Sequence, residues 1–112
     1  MSYLPIIAYF FGGIFLCNAI PHTINGVMGR PFQSPFATPP GKGLSSSTLN
    51  VMWGFGNLCA AYLLLLHVGD FDARAPAQIT ALGIGFLLMG VFAARQFGRY
   101  HGGNAPTHPS TG

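Results

Sequence analysis

The chain has 112 residues, half of them apolar and only 6% charged, where a soluble domain carries about a quarter charged. Such a composition cannot cover a water-facing surface, so a bilayer must contact much of the chain, and the length allows one domain. The formal charge of +3 comes from basic residues scattered singly, which form no patch for nucleic acid.

Three apolar stretches reach the roughly 20 residues that a membrane-crossing helix needs. The first spans about residues 3–27, with Pro5 in its first turn and Pro21 inside it. The second spans about 48–68, entered through Ser45, Ser46, Ser47 and Thr48 as N-cap candidates, with Gly69 expected to close it in the left-handed conformation. The third spans about 76–97, opened by Pro76 and closed at Gly98. The expected fold is therefore all-α, an integral membrane protein with three transmembrane helices in an antiparallel bundle.

Residues 30–45 separate the first two spans and contain Pro31, Pro35, Pro39, Pro40, Gly41 and Gly43, too many breakers for a helix. Phe32 and Phe36 in this loop are expected at the membrane interface. The second connection, from Gly69 to Ala75, is short and carries Asp70, Asp72 and Arg74. Residues 101–112 are Gly, Pro and polar residues and are expected to be disordered.

Arg30 and Lys42 in the first loop and Arg95 and Arg99 at the end of the third helix share one side of a three-span protein, against Arg74 on the other. The positive-inside rule then puts the loop and C-terminus in the cytoplasm and the N-terminus in the periplasm. A cleaved signal peptide is not expected, because Met1 to Pro5 lacks a basic region.

Polar residues inside the spans are the main functional lead, since each needs a partner in an apolar medium. At 100° per residue, Asn25 falls about 20° and His22 about 40° from Asn18 on the first helix. Asn50, Trp53 and Asn57 form a similar row on the second. In a tight hairpin of two equal-rise helices, 18 meets 57, 22 meets 53 and 25 meets 50. Pro21 frees the carbonyl of Cys17, and the Asn57 amide is a candidate to satisfy it. Gly54 and Ala61 would let the two helices approach closely.

The simpler reading of this seam is structural, because interhelical hydrogen bonds contribute about 0.6 kcal/mol each on average. The functional reading is a polar, ligand-binding pocket with His22 as its titratable member. No Asp or Glu lies in any span, so a proton relay is not expected. Bis-His haem within one chain needs two histidines at one depth on facing helices, and His22, His67 and His101 do not meet that expectation. Cys17 and Cys59 read as packing residues, with Cys59 on the far side from the seam.

The segment Pro40-Gly41-Lys42-Gly43 fails as a phosphate loop, because Phe36 stands at the first glycine position and Gly43 where Ser or Thr is required. Arg30, Lys42 and the first amides of the second helix remain a candidate lipid-phosphate contact. In the third helix Ala77, Ala81, Gly85, Gly90 and Ala94 form a small-residue face suited to close packing, within the chain or between copies.

The segment PHTINGVMGRPFQSPFATPPGKGLSSSTLNVMWGFGN, Pro21 to Asn57, resembles a family of small, functionally uncharacterised bacterial inner-membrane proteins. The resemblance implies three helices and a bacterial membrane, and it carries over no catalytic residue. The resulting expectation is a non-enzymatic accessory or interaction subunit of the inner membrane. Its partners would be the lipid bilayer and either further copies or a larger membrane complex. One alternative is an oligomeric transporter or channel for a small molecule, lipid or ion along the His22 seam, and a second is a haem- or quinone-associated redox accessory. No metal or resident cofactor is expected.

Overall fold

The computed structural model describes residues 2–105. Helix α1 (Leu4–Val27) has Pro5 in its first turn, where the missing N–H costs nothing. Helix α2 (Ser47–Tyr62) starts at Ser46, whose hydroxyl accepts from the Leu49 amide at 3.1 Å, and widens into a π-helical segment over Leu63–Val68. Helix α3 runs over Pro76–His101. Strands β1 (Phe32–Gln33) and β2 (Leu44–Ser45) pair antiparallel, Phe32 opposite Ser45 and Gln33 opposite Leu44. The chain is thus mostly helical, and its three helices, packed together, are each long and apolar enough to cross a membrane.

Two helix ends differ from the sequence expectation. Gly69 is extended (φ −106°, ψ −176°) rather than left-handed. Glycine stands there because a Cβ would run into the Tyr9 ring, whose hydroxyl accepts from the Asp70 amide at 3.0 Å. Helix α3 passes through Gly98 to His101, and Gly102 (φ 72°) supplies the left-handed C-cap. Beyond it Asn104 turns back to donate to the Ala94 carbonyl at 3.2 Å, while residues 106–112 of the expected tail lie outside the described residues.

Helix α1 is the central element, with one face on each neighbour. Its contacts with α2 pair rising with falling numbers: Gly12 with Leu65, Asn18 with Asn57, Thr23 with Gly54, and Gly26 with Val51. Its contacts with α3 run in the same direction: Phe10 with Gly85, Gly13 with Leu82 and Phe86, Cys17 with Gly90, and His22 with Phe97. The buried positions of α2 are Asn50, Gly54, Asn57 and Ala61, a single stripe at helical spacing. Large apolar side chains such as Phe55, Leu66, Leu87 and Phe92 point outward instead. Small residues inside and large ones outside is the pattern that lipid solvation requires, since tails do not drive helices together and close backbone approach must.

At two crossings backbone meets backbone. A Cβ on Gly13 would fall on the Leu82 carbonyl oxygen, and one on Gly85 on the Phe10 carbonyl oxygen. Gly85 and Gly90 therefore pack inside the chain, on α1. Gly83, two residues from Gly85 in the same helix, has nothing within 4 Å of its Cβ position. Gly13→Ala should lower the detergent melting temperature, with an overpacking cost of about 1–3 kcal/mol, while Gly83→Ala leaves it unchanged or raised. Equal melting of both variants would show that the α1–α3 crossing is not as described.

Candidate functional site

The largest fully buried side chains among the described residues are polar: His22, Asn50, Asn57 and Ser34. Each lies where α1 and α2 meet or where the 30–45 loop closes over them. Asn18 Nδ2 donates to Asn57 Oδ1 at 3.0 Å, so this pair meets as the hairpin register anticipates. Asn57 Nδ2 in turn donates to the Trp53 carbonyl at 2.8 Å, and not to the Cys17 carbonyl freed by Pro21.

The other two couples re-sort. His22 Nδ1 lies 2.7 Å from Asn50 Oδ1, one helical turn from the expected Trp53. Trp53 stands beside His22 with ring centroids 6.3 Å apart. Asn25 turns back into its own helix and donates to the Pro21 carbonyl at 2.8 Å. The physical reason is competition. Asn50 sits at the start of α2, beside the loop, where unpaired carbonyls require a donor more than Asn25 does.

Asn50 is completely buried, and its Nδ2 donates to the carbonyls of Phe32 (3.2 Å), Ser45 (3.2 Å) and Ser46 (3.0 Å). One amide thus ties α1, both short strands and the N-terminus of α2. The loop is held from further sides: Ser34 and Ser45 share a hydrogen bond at 2.6 Å, Gln33 Oε1 meets His101 Nε2 at 2.9 Å, and Gln96 Nε2 reaches the Gly41 carbonyl at 3.4 Å. A segment of prolines and glycines is thereby fixed on the bundle end. Serine, glutamine and asparagine in and around it were the available signal in the sequence.

Phe32 is buried, a correction to its expected interfacial position. Its ring stacks on His101 at 5.4 Å and 9°, meets His22 at 5.6 Å and meets Phe97 at 4.6 Å. Phe36 remains 58% exposed, its ring edge against Trp53 at 5.1 Å. His22 on α1 and His101 on α3 therefore flank one phenyl ring, closer in depth than the helix lengths suggested. Phe32 separates them, and no group of three or more His, Cys, Asp or Glu suited to a metal occurs among the described residues.

Arg30 and Lys42 are exposed, near the two ends of the loop. The first amides of α2 are partly claimed by Ser46, which accepts from Leu49. Cys17 is buried against α3 and Cys59 is exposed. Around the seam lies a cavity of about 430 Å³, bordered by Asn18 and His22 of α1, Trp53 of α2, the loop at Gln33 and Ser34, and Gln96 and Phe97 of α3. Gln33, Ser34 and Gln96 were not among the residues singled out from sequence, because their proximity to His22 depends on how the loop folds back.

Asn50→Ala should free the loop. It takes the side-chain donor from the Phe32 and Ser45 carbonyls and the partner from His22 Nδ1, while the Ser46 carbonyl keeps the backbone amide of residue 50; a buried group left unpaired costs about 1–3 kcal/mol. Trypsin cleavage after Lys42 should then accelerate at least about tenfold at temperatures where wild type is intact. Unchanged cleavage would show that Asn50 does not hold the loop. For the helix register, Asn18→Cys with Asn57→Cys, in a background with Cys17→Ala and Cys59→Ala, should crosslink under mild oxidation. Absence of crosslinking, where a control pair reacts, would overturn the 18–57 pairing. The chain matches no family model, no curated protein and no solved structure in the comparisons made with each.

Proposed function

We infer that this chain is a multi-pass bacterial inner-membrane protein acting without catalysis, as an accessory or interaction subunit that presents the 30–45 loop as a fixed platform. The observation that carries this reading is the immobilised loop. Six Pro and Gly residues between Arg30 and Leu44 would favour a mobile connection, yet Asn50, Ser34, Gln33 and Gln96 hold it on the bundle. Loops held by a rigid scaffold are the usual carriers of recognition.

The platform exposes Phe36 and Leu44 together with Arg30 and Lys42, an apolar and basic surface at one end of the molecule. That combination suits a partner at the membrane surface or anionic lipid headgroups. The opposed numbering of α1–α2 contacts and the parallel numbering of α1–α3 contacts support an antiparallel, up-down-up passage through the bilayer. The loop and the end of α3 meet through Gln33 and His101, so Arg30, Lys42, Arg95 and Arg99 share one side, which favours a cytoplasmic position for it. The N-terminus is then periplasmic.

Two measurements test the reading. Lys42→Cys, without the native cysteines, should react with a membrane-impermeant maleimide only after cells are opened, and Arg74→Cys in intact spheroplasts. The reverse pattern would invert the topology. Wild type purified in mild detergent should retain a defined membrane-protein partner that Phe36→Ser with Leu44→Ser loses while keeping the wild-type melting temperature. A chain that purifies alone, or a partner unaffected by these substitutions, would remove the platform role.

A further inference from the structure

His101 fastens the loop to the end of α3. Its Nε2 lies 2.9 Å from Gln33 Oε1, and its ring stacks on Phe32 with centroids 5.4 Å apart and 9° between the planes. Both of these β1 residues are buried, while His101 itself is exposed. An amide oxygen only accepts, so Nε2 carries the hydrogen of that bond whether the ring is neutral or charged. The contact therefore survives a change of charge, and its strength depends on which charge the ring carries. Histidine ordinarily changes charge between about pH 5 and 8. In the membrane passage proposed above, the 26 residues of α3 extend about 39 Å, more than the roughly 30 Å of hydrocarbon. Its last two turns carry Arg95 and Arg99, so His101 sits beyond the apolar stretch, where water reaches it.

Three features favour the charged ring in this position. A cation within about 6 Å of a phenyl centroid is attracted to the ring face, and the stack on Phe32 meets that distance. The bond to Gln33 strengthens when its donor is ionised. His101 also lies in the last turn of α3, where the helix end is electronegative and holds cations. The charges that oppose protonation are Arg95 and Arg99 of α3 and Arg30 and Lys42 of the loop, all exposed, so water and salt screen them. Tyr100 is the adjacent phenol. From α1 the facing titratable group is His22, which also meets Phe32, at 5.6 Å, but is buried and bonded to Asn50. Asp70 and Asp72, the two acids of the chain, lie in the connection at the other end.

We propose that His101 is a pH-responsive clasp: protonation of its imidazole tightens the hold of α3 on Phe32 and Gln33, and so on the 30–45 loop, while deprotonation loosens it. The fastened loop holds the proton more firmly than the released loop. The added stability is therefore present on the acidic side and is lost as pH rises through the histidine range. As regulation of a platform the clasp rests on the role inferred above. The hold on the loop is measured without any partner, so either reading can fail while the other stands.

The full chain in nanodiscs of uncharged net lipid is followed by hydrogen–deuterium exchange over residues 32–45 from about pH 5.5 to about pH 8, across the histidine range. Each rate is divided by the intrinsic rate at that pH. Wild-type protection is expected to be at least about threefold greater at the acidic end, as a cation–ring contact and a helix-end charge together imply. His101→Phe keeps a ring for the stack on Phe32 and cannot titrate, so its protection should be equal at both ends. His101→Gln, which keeps a donor for Gln33, should be equally flat. In wild type the midpoint of the protection change should coincide with the titration of the His101 imidazole followed by NMR in the same particles, a readout that needs no variant. Wild-type protection that is equal at both ends, or greater at the basic end, would overturn the clasp. So would a pH response kept by either folded variant, or a midpoint that departs from the His101 titration.

Discussion

The rest of the structure depends on one buried side chain, Asn50. Its oxygen faces His22 Nδ1 at 2.7 Å and its nitrogen serves the carbonyls of Phe32, Ser45 and Ser46. Losing the contacts to His22 and to the loop carbonyls costs buried polar groups their partners, so one arrangement is selected over neighbouring registers. That arrangement sets how α1 and α2 pass each other, where the two short strands lie and how the loop returns to the bundle. Phe32, once placed by the Asn50 contact to its carbonyl, slots between His22, Phe97 and His101 and carries the same constraint to α3.

The core inverts the usual distribution of a water-soluble protein. Its interior contacts are glycine, alanine and amides, and its outer surface carries phenylalanine and leucine. In a lipid solvent, which such helices are long and apolar enough to enter, burying a leucine between helices would gain little over leaving it against tails, whereas close backbone contact and hydrogen bonds between helices would gain something. Gly13 and Gly85 give that closeness between α1 and α3, Gly54 and Gly26 between α1 and α2. At the opposite end, Tyr9 against Gly69 and Asp70 fixes the short connection, so each end of α1 has its own anchor.

The division of labour inside the polar seam follows from counting donors and acceptors. Asn18, Asn25, Asn50 and Asn57 spend their amide hydrogens on one another or on carbonyls. Among the described residues, Trp53 Nε1 and Thr23 Oγ1 are the buried side-chain atoms left over.

Much of the fold was legible in the sequence. Helix lengths, the Pro and Gly breakers between Arg30 and Leu44, and the helical spacing of Asn50, Gly54, Asn57 and Ala61 are local properties, and local physics decides them. The meeting of Asn18 with Asn57 was legible too, because a tight hairpin of two helices leaves little freedom of register. What the tertiary structure alone decided was the choice among competing partners. His22 took Asn50 in place of Trp53, Asn25 took its own helix, and Phe32 went inward, because the loop folded back and brought carbonyls and a phenyl ring to the same depth. Distances between segments that are far apart in the chain settle such competitions, and no periodicity along one helix contains them.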